Sequence, residues 1–526
     1  MRLVFALMFV AFVSLVSAQH DPSKTDDKFR RALQIMRVSY VDSIDEEHLT
    51  EIAIVKMLEE LDPHSVYMSA EDIKKANEPL EGNFEGVGIQ FQIIRDTINV
   101  VDVIAGGPSE TVGIHGGDKI VSIDAEQSTG KEIDNDFVIK HLRGTKGTQV
   151  VVGIFRKGEK DIIDFTITRD KIPIHSVDAA YMVTPEIGYI KVNRFAANTM
   201  DEFADAIKEL RESNYKSLIL DLRGNSGGYL RTSVDLADQF LPKDQLIVYT
   251  QGRSESRVDY NATSKGSFEK GKLVVLIDEG SASASEIVTG ALQDCDRALV
   301  IGRRSYGKGL VQRPFSLPDG SAMRLTVARY YTPSGRCIQK PYDEGHESYY
   351  KDLSDRMEHG ELVHPDSIKF PDSLRYKTIA GRVVYGGGGI MPDIFIPLDT
   401  NKYSDYYTKL IRKNVFSIFT QDYLQENRGK LMEQFSNIDK FRSSYKISDE
   451  FMKEFFNYVE TDVAFEQAGY DQSKEIIQTI LRAYLARSLY GPEAYYVIVG
   501  DIDTELQKAI ESIQTHGIFE KYQIEK

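Results

Sequence analysis

The chain has 526 residues, which is enough for several domains and a sizeable core. It carries 64 basic and 80 acidic residues, giving a formal net charge of −16. This balance disfavours a surface for nucleic acid or anionic membrane, because either would require clustered lysine and arginine. We therefore expect no nucleic-acid partner.

Residues 1–18 have the pattern of a secretory signal peptide. Arg2 precedes an apolar run, and Val16-Ser17-Ala18 forms a small-residue cleavage site before Gln19. The sequence predicts cleavage after Ala18 and export, with the periplasm as the expected compartment. The alternative is an uncleaved anchor that keeps the protein at the membrane, although the apolar run is short for a bilayer span.

Residues 19–81 are predicted to be a helical N-terminal region. Apolar residues recur there at helical spacing: Phe29, Leu33, Met36 and Tyr40, then Leu49, Ile52, Val55 and Leu58. Asp62-Pro63-His64-Ser65 interrupts the pattern. These helices are expected to form core or a homodimer contact.

Residues 82–170 change to short alternating strands separated by glycine turns, with helical pieces at 108–112 and 134–142. Together with GPSETVGIHGGDKIVSID at 107–124, the region resembles a PDZ domain, a mixed β fold with short helices. The resemblance implies that Gly86-Val87-Gly88-Ile89 is a loop whose N–H groups bind a peptide's terminal carboxylate. The alternative is an ordinary glycine turn in a sheet.

Residues 171–400 alternate strands and helices, as in an α/β domain. The buried strand KSLILDL at 216–222 runs into the glycine-rich segment DLRGNSGG at 221–228. Glycines after a strand either make a plain turn or free backbone N–H groups to face a ligand. Residues 344–376 are predicted to be a polar insertion. Cys295 and Cys337 are expected to be buried thiols or a single disulfide pair.

The segment 273–312 reads as strand, tight turn, helix, strand and loop. It places the hydroxyl of Ser283 at the start of a helix and Lys308 after the next strand. A serine becomes a good nucleophile when a base accepts its proton, and a lysine serves as that base only when neutral. Burial must therefore lower the lysine pKa from its usual value of about 10.4.

Two other interpretations of this segment remain open from the residues alone. Ser283-Ala284-Ser285-Glu286 matches the S-x-x-E capping box, in which the serine simply caps the helix. Residues 302–309 read G-x-x-x-x-G-K-G, close to a phosphate-binding P-loop. However, Gly309 replaces the required Ser or Thr, and the prolines that follow prevent the required helix.

GSASASEI, ALQD and YGKGLVQ resemble the carboxyl-terminal processing peptidases, also called tail-specific proteases, and the resemblance covers roughly Asp26 to Pro397. It implies that Ser283 is the nucleophile, Lys308 the base and Gln312 the residue that orients the lysine. It also implies a charge-relay role for Asp294. The glycine loop would donate to the oxyanion from Gly227 or Gly228, opposite the N–H of Ala284. The resemblance implies no metal or cofactor.

Residues 401–526 are charged, with apolar residues at helical spacing, and are predicted to be an α-helical C-terminal extension. The expected fold is thus α/β multidomain: helical N-terminal segment, PDZ domain, α/β peptidase body and helical extension. The expected function is that of an exported serine endopeptidase. Its PDZ domain would recognise the accessible C-termini of protein or peptide substrates, and a Ser/Lys dyad would cut them. The alternatives are a non-catalytic PDZ peptide-binding scaffold and a nucleotide-binding protein that uses residues 302–308.

Overall fold

The structure is a computed structural model that describes residues 22–104 and 106–524. The predicted signal peptide lies outside the described residues. Within them, no helix combines the length and the apolar character needed to cross a membrane.

The N-terminal region is helical, as predicted, but it also contributes a strand to the peptidase body. Its elements are α1 (Pro22–Ser39), α2 (Glu46–Glu59), β1 (Val66–Met68) and α3 (Ala70–Glu81). The turn at 62–65 leads from α2 into β1, which pairs antiparallel with a strand at Ala322–Tyr331 of the body. This pairing brings the turn to the peptidase body.

Residues 83–173 form a small sheet domain with two short helices. Its elements are β2 (Asn83–Gly86), β3 (Ile89–Ile94), β4 (Thr97–Val103), α4 (Pro108–Thr111), β5 (Lys119–Ile123), β6 (Glu126–Gln127), α5 (Asn135–Leu142), β7 (Gln149–Phe155), β8 (Ile163–Thr168) and β9 (Asp170–Pro173). The main sheet has the order β3-β4-β5-β7-β8, so β3 is an edge strand, while β2 pairs separately with β9.

The body is a sheet of order β10-β11-β12-β15-β16-β21 in which all pairs except β10–β11 are parallel. Its first elements are β10 (Val177–Thr184), β11 (Ile187–Val192), α6 (Thr199–Glu212), β12 (Ser217–Asp221), α7 (Leu230–Asp238), β13 (Leu246–Gln251), β14 (Val258–Asn261), β15 (Lys272–Ile277), α8 (Ala284–Asp294) and β16 (Leu299–Gly302). Strand β15 alternates between two cores: Leu273, Val275 and Ile277 pack with α6–α8, whereas Val274 and Leu276 face the opposite side.

A second, antiparallel sheet of order β1-β18-β13-β14, with β17 on β18, lies beside the first. The remaining body elements are β17 (Leu310–Ser316), β18 (Ala322–Tyr331), α9 (His346–Glu358), β19 (Arg375–Lys377), β20 (Val383–Tyr385) and β21 (Ile394–Phe395). The predicted polar insertion contains α9, whose Tyr349 and Arg356 are buried. It is therefore packed into the body.

The C-terminal extension is helical, as predicted: α10 (Asp405–Arg412), α11 (Val415–Gln434), α12 (Ile438–Ser444), α13 (Asp449–Val459), α14 (Gln467–Tyr490), α15 (Glu493–Val499), α16 (Thr504–Gln514) and α17 (Ile518–Lys521). Most of it has its own aromatic-rich core. Leu506, Ala509, Ile513 and Phe519 instead pack on Leu276 and Ile301 of the parallel sheet. The last helices therefore cover the second face of that sheet, as a parallel sheet requires.

Candidate active site

Ser283 lies in the turn between β15 and α8, at the N-cap position of the helix. An ordinary N-cap residue has extended backbone angles. Ser283 instead has φ 54° and ψ −109°, an unfavourable conformation for a residue with a Cβ. Such local strain concentrates at functional sites, and a sharp strand-to-helix turn presents the nucleophile in the α/β-hydrolases. Ser283 and Glu286 do form the predicted capping box, but the backbone angles of Ser283 set it apart from an ordinary helix cap.

The carboxylate of Glu286, in the first turn of α8, holds the serine turn and the lysine loop together. Its Oε2 accepts from the N–H groups of Ser283 (2.8 Å) and Lys308 (2.9 Å). Its Oε1 accepts from the hydroxyl of Ser305 (2.5 Å) and the N–H of Gly307 (2.7 Å). Glu286 is fully buried, and burial raises the pKa of its carboxyl to about 7 against the four hydrogen bonds that favour ionisation.

Tyr330 of β18 makes a second link between the same two backbones. Its hydroxyl lies at hydrogen-bond distance from the carbonyl oxygens of both Ser283 (3.0 Å) and Lys308. Tyr330 is buried, and burial raises the pKa of its phenol well above the usual value. It therefore stays a neutral donor.

The surroundings of Lys308 favour a neutral amine. Burial and, next, the charge of Arg324 lower the pKa of Lys308 to about 8, while Glu286 and Asp62 oppose the shift. His64 also faces the lysine, and burial together with the Lys308 charge lowers the pKa of its imidazole to about 4. A lysine in this setting is partly deprotonated near neutral pH, as a general base must be.

Gln312 lies on β17 at a β-bulge, since the pairing register with β18 shifts between Val311 and Gln312. Bulges redirect a side chain and often occur beside active sites. The Nε2 of Gln312 donates to the hydroxyl of Thr326 (3.4 Å), which in turn donates to Oδ1 of Asp62 (3.0 Å). The N-terminal turn thus reaches the residue that was expected to orient the lysine.

The glycine loop at 224–228 lies directly against the serine turn. A Cβ atom at Gly227 would lie 2.9 Å from Cβ of Ser283 and 3.1 Å from the nitrogen of Ala284. The N–H of Gly227 donates to Oδ1 of Asn225 (2.9 Å). Within 22–104 and 106–524, the N–H groups of Gly228 and Ala284 have no hydrogen-bond partner. The N–H of Gly227 is thus already bonded, whereas that of Gly228 is not bonded in the described part of the chain.

Comparison with known proteins agrees with this layout. The family model described as Peptidase family S41 matches residues 186–345, the PDZ domain model matches 86–167, and the activating protease CtpB N-terminal domain matches 13–72. A family of unknown function matches 406–491.

This chain aligns with most of the length of two curated relatives. Carboxy-terminal processing protease CtpB of Bacillus subtilis is 36% identical over 334 residues, which is 63% of this chain and 69% of the relative. Carboxy-terminal-processing protease of Bartonella bacilliformis is 39% identical over 317 residues, 59% of this chain and 72% of the relative. This chain belongs to the carboxy-terminal processing proteases of peptidase family S41. A solved structure, the photosystem II D1 C-terminal processing protease, is 25% identical with a TM-score of 0.37 over 71% of this chain and 93% of that one.

Membership confirms the predicted family, the multidomain fold and the assignment as a serine-type peptidase.

Asp294, which was expected to have a charge-relay role, is not brought to Ser283 in this protease. It ends α8, about 15 Å along the helix axis from its start. Its carboxylate is fully buried against Arg336 (2.8 Å) and accepts from the N–H of Ser334 (3.0 Å).

The P-loop interpretation of residues 302–309 is wrong. The strand β17 follows the loop where a phosphate-binding motif would require a helix. The N–H groups of Gly307 and Lys308 are also occupied by Glu286, so they are not available to a phosphate.

In the PDZ domain of the protease, Gly86-Val87-Gly88-Ile89 leads into the edge strand β3. The carbonyl of Val87 accepts from both the N–H (3.0 Å) and the hydroxyl (2.7 Å) of Ser109, and Gly88 has φ 77°. The loop is thus fixed at the end of a strand that has one unpaired edge, the geometry to which an extended peptide can add.

Several residues around Ser283 and Lys308 were not predicted from the sequence as parts of the site. Glu286 was identified only as a capping-box partner and Asp62 only as part of a helix break, and Thr326 and Tyr330 were not singled out. The register of β18 against β17 shifts between Ala328 and Thr326, so a period of two does not carry from Thr326 to Tyr330. The period does not reveal what they face.

Proposed function

We propose that this protease cuts peptide bonds with a Ser283/Lys308 dyad. Ser283 attacks the scissile carbonyl, neutral Lys308 takes the hydroxyl proton, and the same proton is given to the leaving amine, which leaves Ser283 acylated. A water molecule that gives a proton to Lys308 then attacks the ester, and return of this proton to the Ser283 oxygen releases the acid product. Gln312 orients the lysine amine. The observation that carries the proposal is that one oxygen of Glu286 holds both a strained Ser283 and the loop of a lysine with a lowered pKa.

The oxyanion of the tetrahedral intermediate would be stabilised by the N–H groups of Gly228 and Ala284. Their lack of partners in the described structure supports this choice, because preorganised donors aimed at the developing charge are a major source of catalysis. Gly227 would contribute by its missing side chain, which lets its loop approach Ser283 closely. The reaction as proposed runs without a metal or cofactor.

The test of the dyad is mass spectrometry of products from an unstructured peptide substrate. We expect Ser283→Ala and Lys308→Ala each to abolish cleavage while the protein stays folded, because nucleophile and base act as a unit. Substantial cleavage by Ser283→Ala would overturn the dyad. Absence of cleavage by the wild-type protein would favour the non-catalytic PDZ scaffold.

The PDZ loop Gly86-Val87-Gly88-Ile89 is proposed to bind the C-terminal carboxylate of the substrate. Charge-assisted hydrogen bonds from backbone N–H groups are stronger than neutral ones, so amidating the substrate's C-terminus should reduce cleavage sharply. Deleting 82–170 should make the enzyme indifferent to amidation. Equal cleavage of free-acid and amidated substrates by the intact enzyme would contradict tail recognition.

The protease is further proposed to be exported, with residues 1–18 removed. The sequence pattern of that segment supports this. After expression in a bacterial host, the intact mass should correspond to a chain that begins at Gln19. Cell fractionation should recover this product in the periplasm. A full-length product in the membrane fraction would instead support an uncleaved anchor.

A second copy of this chain is the proposed partner of the N-terminal helices. The exposed apolar side chains of these helices and of the residues just after them are Phe29, Ile35, Met36, Val38, Tyr40, Val41, Ile52, Met57 and Leu61. Apolar exposure concentrated on two neighbouring helices is typical of an interface. Light scattering of the wild-type protein should report a dimer. The double variant Ile35→Asp/Val38→Asp should be a monomer. The control Ile379→Asp changes an equally exposed apolar residue elsewhere and should leave the dimer intact.

A further inference from the structure

The turn Asp62-Pro63-His64-Ser65 is attached to the catalytic sheet by a set of buried hydrogen bonds. Oδ1 of Asp62 accepts from the N–H groups of His64 (2.9 Å) and Ser65 (3.0 Å), and Oδ2 accepts from the hydroxyl of Ser65 (2.6 Å). The N–H of Thr326 on β18 donates to the Ser65 hydroxyl (3.1 Å). Asp62 is only 7% exposed. A carboxylate that is buried to this extent requires hydrogen-bond donors around it, and the turn and β18 provide them.

The insertion helix α9 closes over the same turn from the other side. The hydroxyl of Tyr350 donates to the carbonyl of Pro63 (2.7 Å), and the hydroxyl of Tyr349 lies 2.8 Å from Nε2 of His64. The turn is therefore held on two sides. It is a fixed part of the site around Lys308.

The direction of the hydrogen bonds from Asp62 to Gln312 is determined by chemistry. A carboxylate only accepts, so the Thr326 hydroxyl must give its single hydrogen to Asp62. The Thr326 oxygen is then left only as an acceptor, so it must face the NH₂ end of Gln312. The carbonyl end of the Gln312 amide is consequently the end free to accept from an amine.

We propose that Asp62, acting through Thr326, is a positioning residue that fixes which end of the Gln312 amide faces Lys308. With the amide so fixed, the carbonyl oxygen of Gln312 accepts a hydrogen bond from the amine of neutral Lys308. The lone pair of the lysine nitrogen then remains for the serine proton. The inference rests on the proposed Ser/Lys dyad and adds the N-terminal region to its machinery.

The first test is a double-mutant cycle on kcat. Thr326→Val removes the hydroxyl at nearly constant volume, and Thr326→Ser keeps it. We expect Thr326→Val to lower kcat by about tenfold or more and Thr326→Ser to retain most of it, because a loosened base loses near-attack geometry. In a Gln312→Ala background, Thr326→Val should have no further effect. Equal costs in both backgrounds would overturn the relay.

The second test is the pH dependence of kcat/KM, which a merely structural role would not move. The charged or titratable groups around Lys308 in the described structure include Asp62 and His64 from the turn, Glu286 from α8, and Arg324 and Tyr330 from β18. Asp62→Asn removes a negative charge, so the acid limb should move to lower pH. Ser65→Ala loosens the attachment of the turn but keeps the Asp62 charge, so it should lower the melting temperature without moving the limb.

Additive effects of Asp62→Asn and Gln312→Ala on kcat would overturn the proposal, and this result decides the matter even if Thr326→Val fails to fold. The dyad is judged separately. If Ser283→Ala and Lys308→Ala are inactive while the double-mutant cycle is additive, only the relay fails. If Ser283→Ala stays active, the underlying dyad fails.

Discussion

The backbone N–H groups of Ser283 and Lys308 donate to the same carboxylate oxygen, Oε2 of Glu286. Ser283 and Lys308 are 25 positions apart in the sequence, and α8 and β16 lie between them. A single buried acceptor therefore sets the separation of the turn that carries the proposed nucleophile from the loop that carries the proposed base. Tyr330 repeats the link through the two carbonyls. Activity should accordingly depend on Glu286 although it is neither nucleophile nor base.

Glu286→Gln should lower kcat by about 100-fold or more and the free energy of unfolding by about 2–4 kcal/mol. The amide replaces one acceptor oxygen by an NH₂ donor, so at least one of the four donors loses its partner in a buried site. Urea unfolding and kcat per folded molecule measure the two effects. Glu347→Gln, at an exposed glutamate paired with Lys351, is the control and should be silent. Wild-type kcat in Glu286→Gln would refute the bridging role.

The acid limb of kcat/KM should have two slopes. Lys308 must be neutral to act as base, so activity should rise with pH through its pKa of about 8. Below about pH 7, Glu286 also becomes protonated and must release a donor, so log kcat/KM should fall with a slope approaching two. Steady-state rates between pH 5.5 and 9.5 measure this. A profile flat from neutral to alkaline pH would count against a lysine base.

Lys308→Met should abolish activity and raise the melting temperature at pH 7. Lys308 has a lower pKa in the folded protein than its usual 10.5, so folding is opposed by burial of its charge at every pH below about 8. As the pH rises from about 8 to 10.5, the folded lysine loses its proton first and this penalty fades. The difference in melting temperature between variant and wild type should therefore shrink over that range. A less stable Lys308→Met at pH 7 would contradict the electrostatic account.

Local sequence signals predicted the strand–turn–helix–strand segment that carries Ser283 and Lys308, because an apolar run or a glycine turn is recognisable from a few consecutive residues. They also predicted the separate PDZ-like region. They could not predict that Asp62 meets Thr326, since 264 residues separate them and neither sits in a periodic pattern that identifies a partner. For the same reason, α16 was expected only as part of a helical extension. Which sheet an amphipathic helix covers is a tertiary fact that its own spacing does not contain.

Gly227→Ala should lower kcat by about 100-fold or more, whereas Gly224→Ala in the same loop should change it little. A methyl group at 227 would lie 2.9 Å from Cβ of Ser283 and 3.0 Å from the carbonyl oxygen of Ala282. At Gly224 the space is open, and the cost is the left-handed backbone alone (φ 67°), about 1–2 kcal/mol of stability. The φ of Gly227 is 110°, outside the small left-handed α region, so backbone strain adds to the crowding of the serine at that position. Equal kcat values for the two variants would show that the close approach is unimportant.

Asp294→Asn should reduce stability rather than alter catalysis. The Asp294–Arg336 pair is fully buried, and removing one charge leaves the other unpaired, at a cost of about 3–5 kcal/mol. The end of α8 is remote from Ser283, so the folded variant should keep both kcat and the wild-type acid limb. Thermal unfolding and a pH–rate profile on the same preparation check both. A large loss of kcat with an unchanged melting temperature would instead restore the charge-relay role that the family resemblance suggested for Asp294.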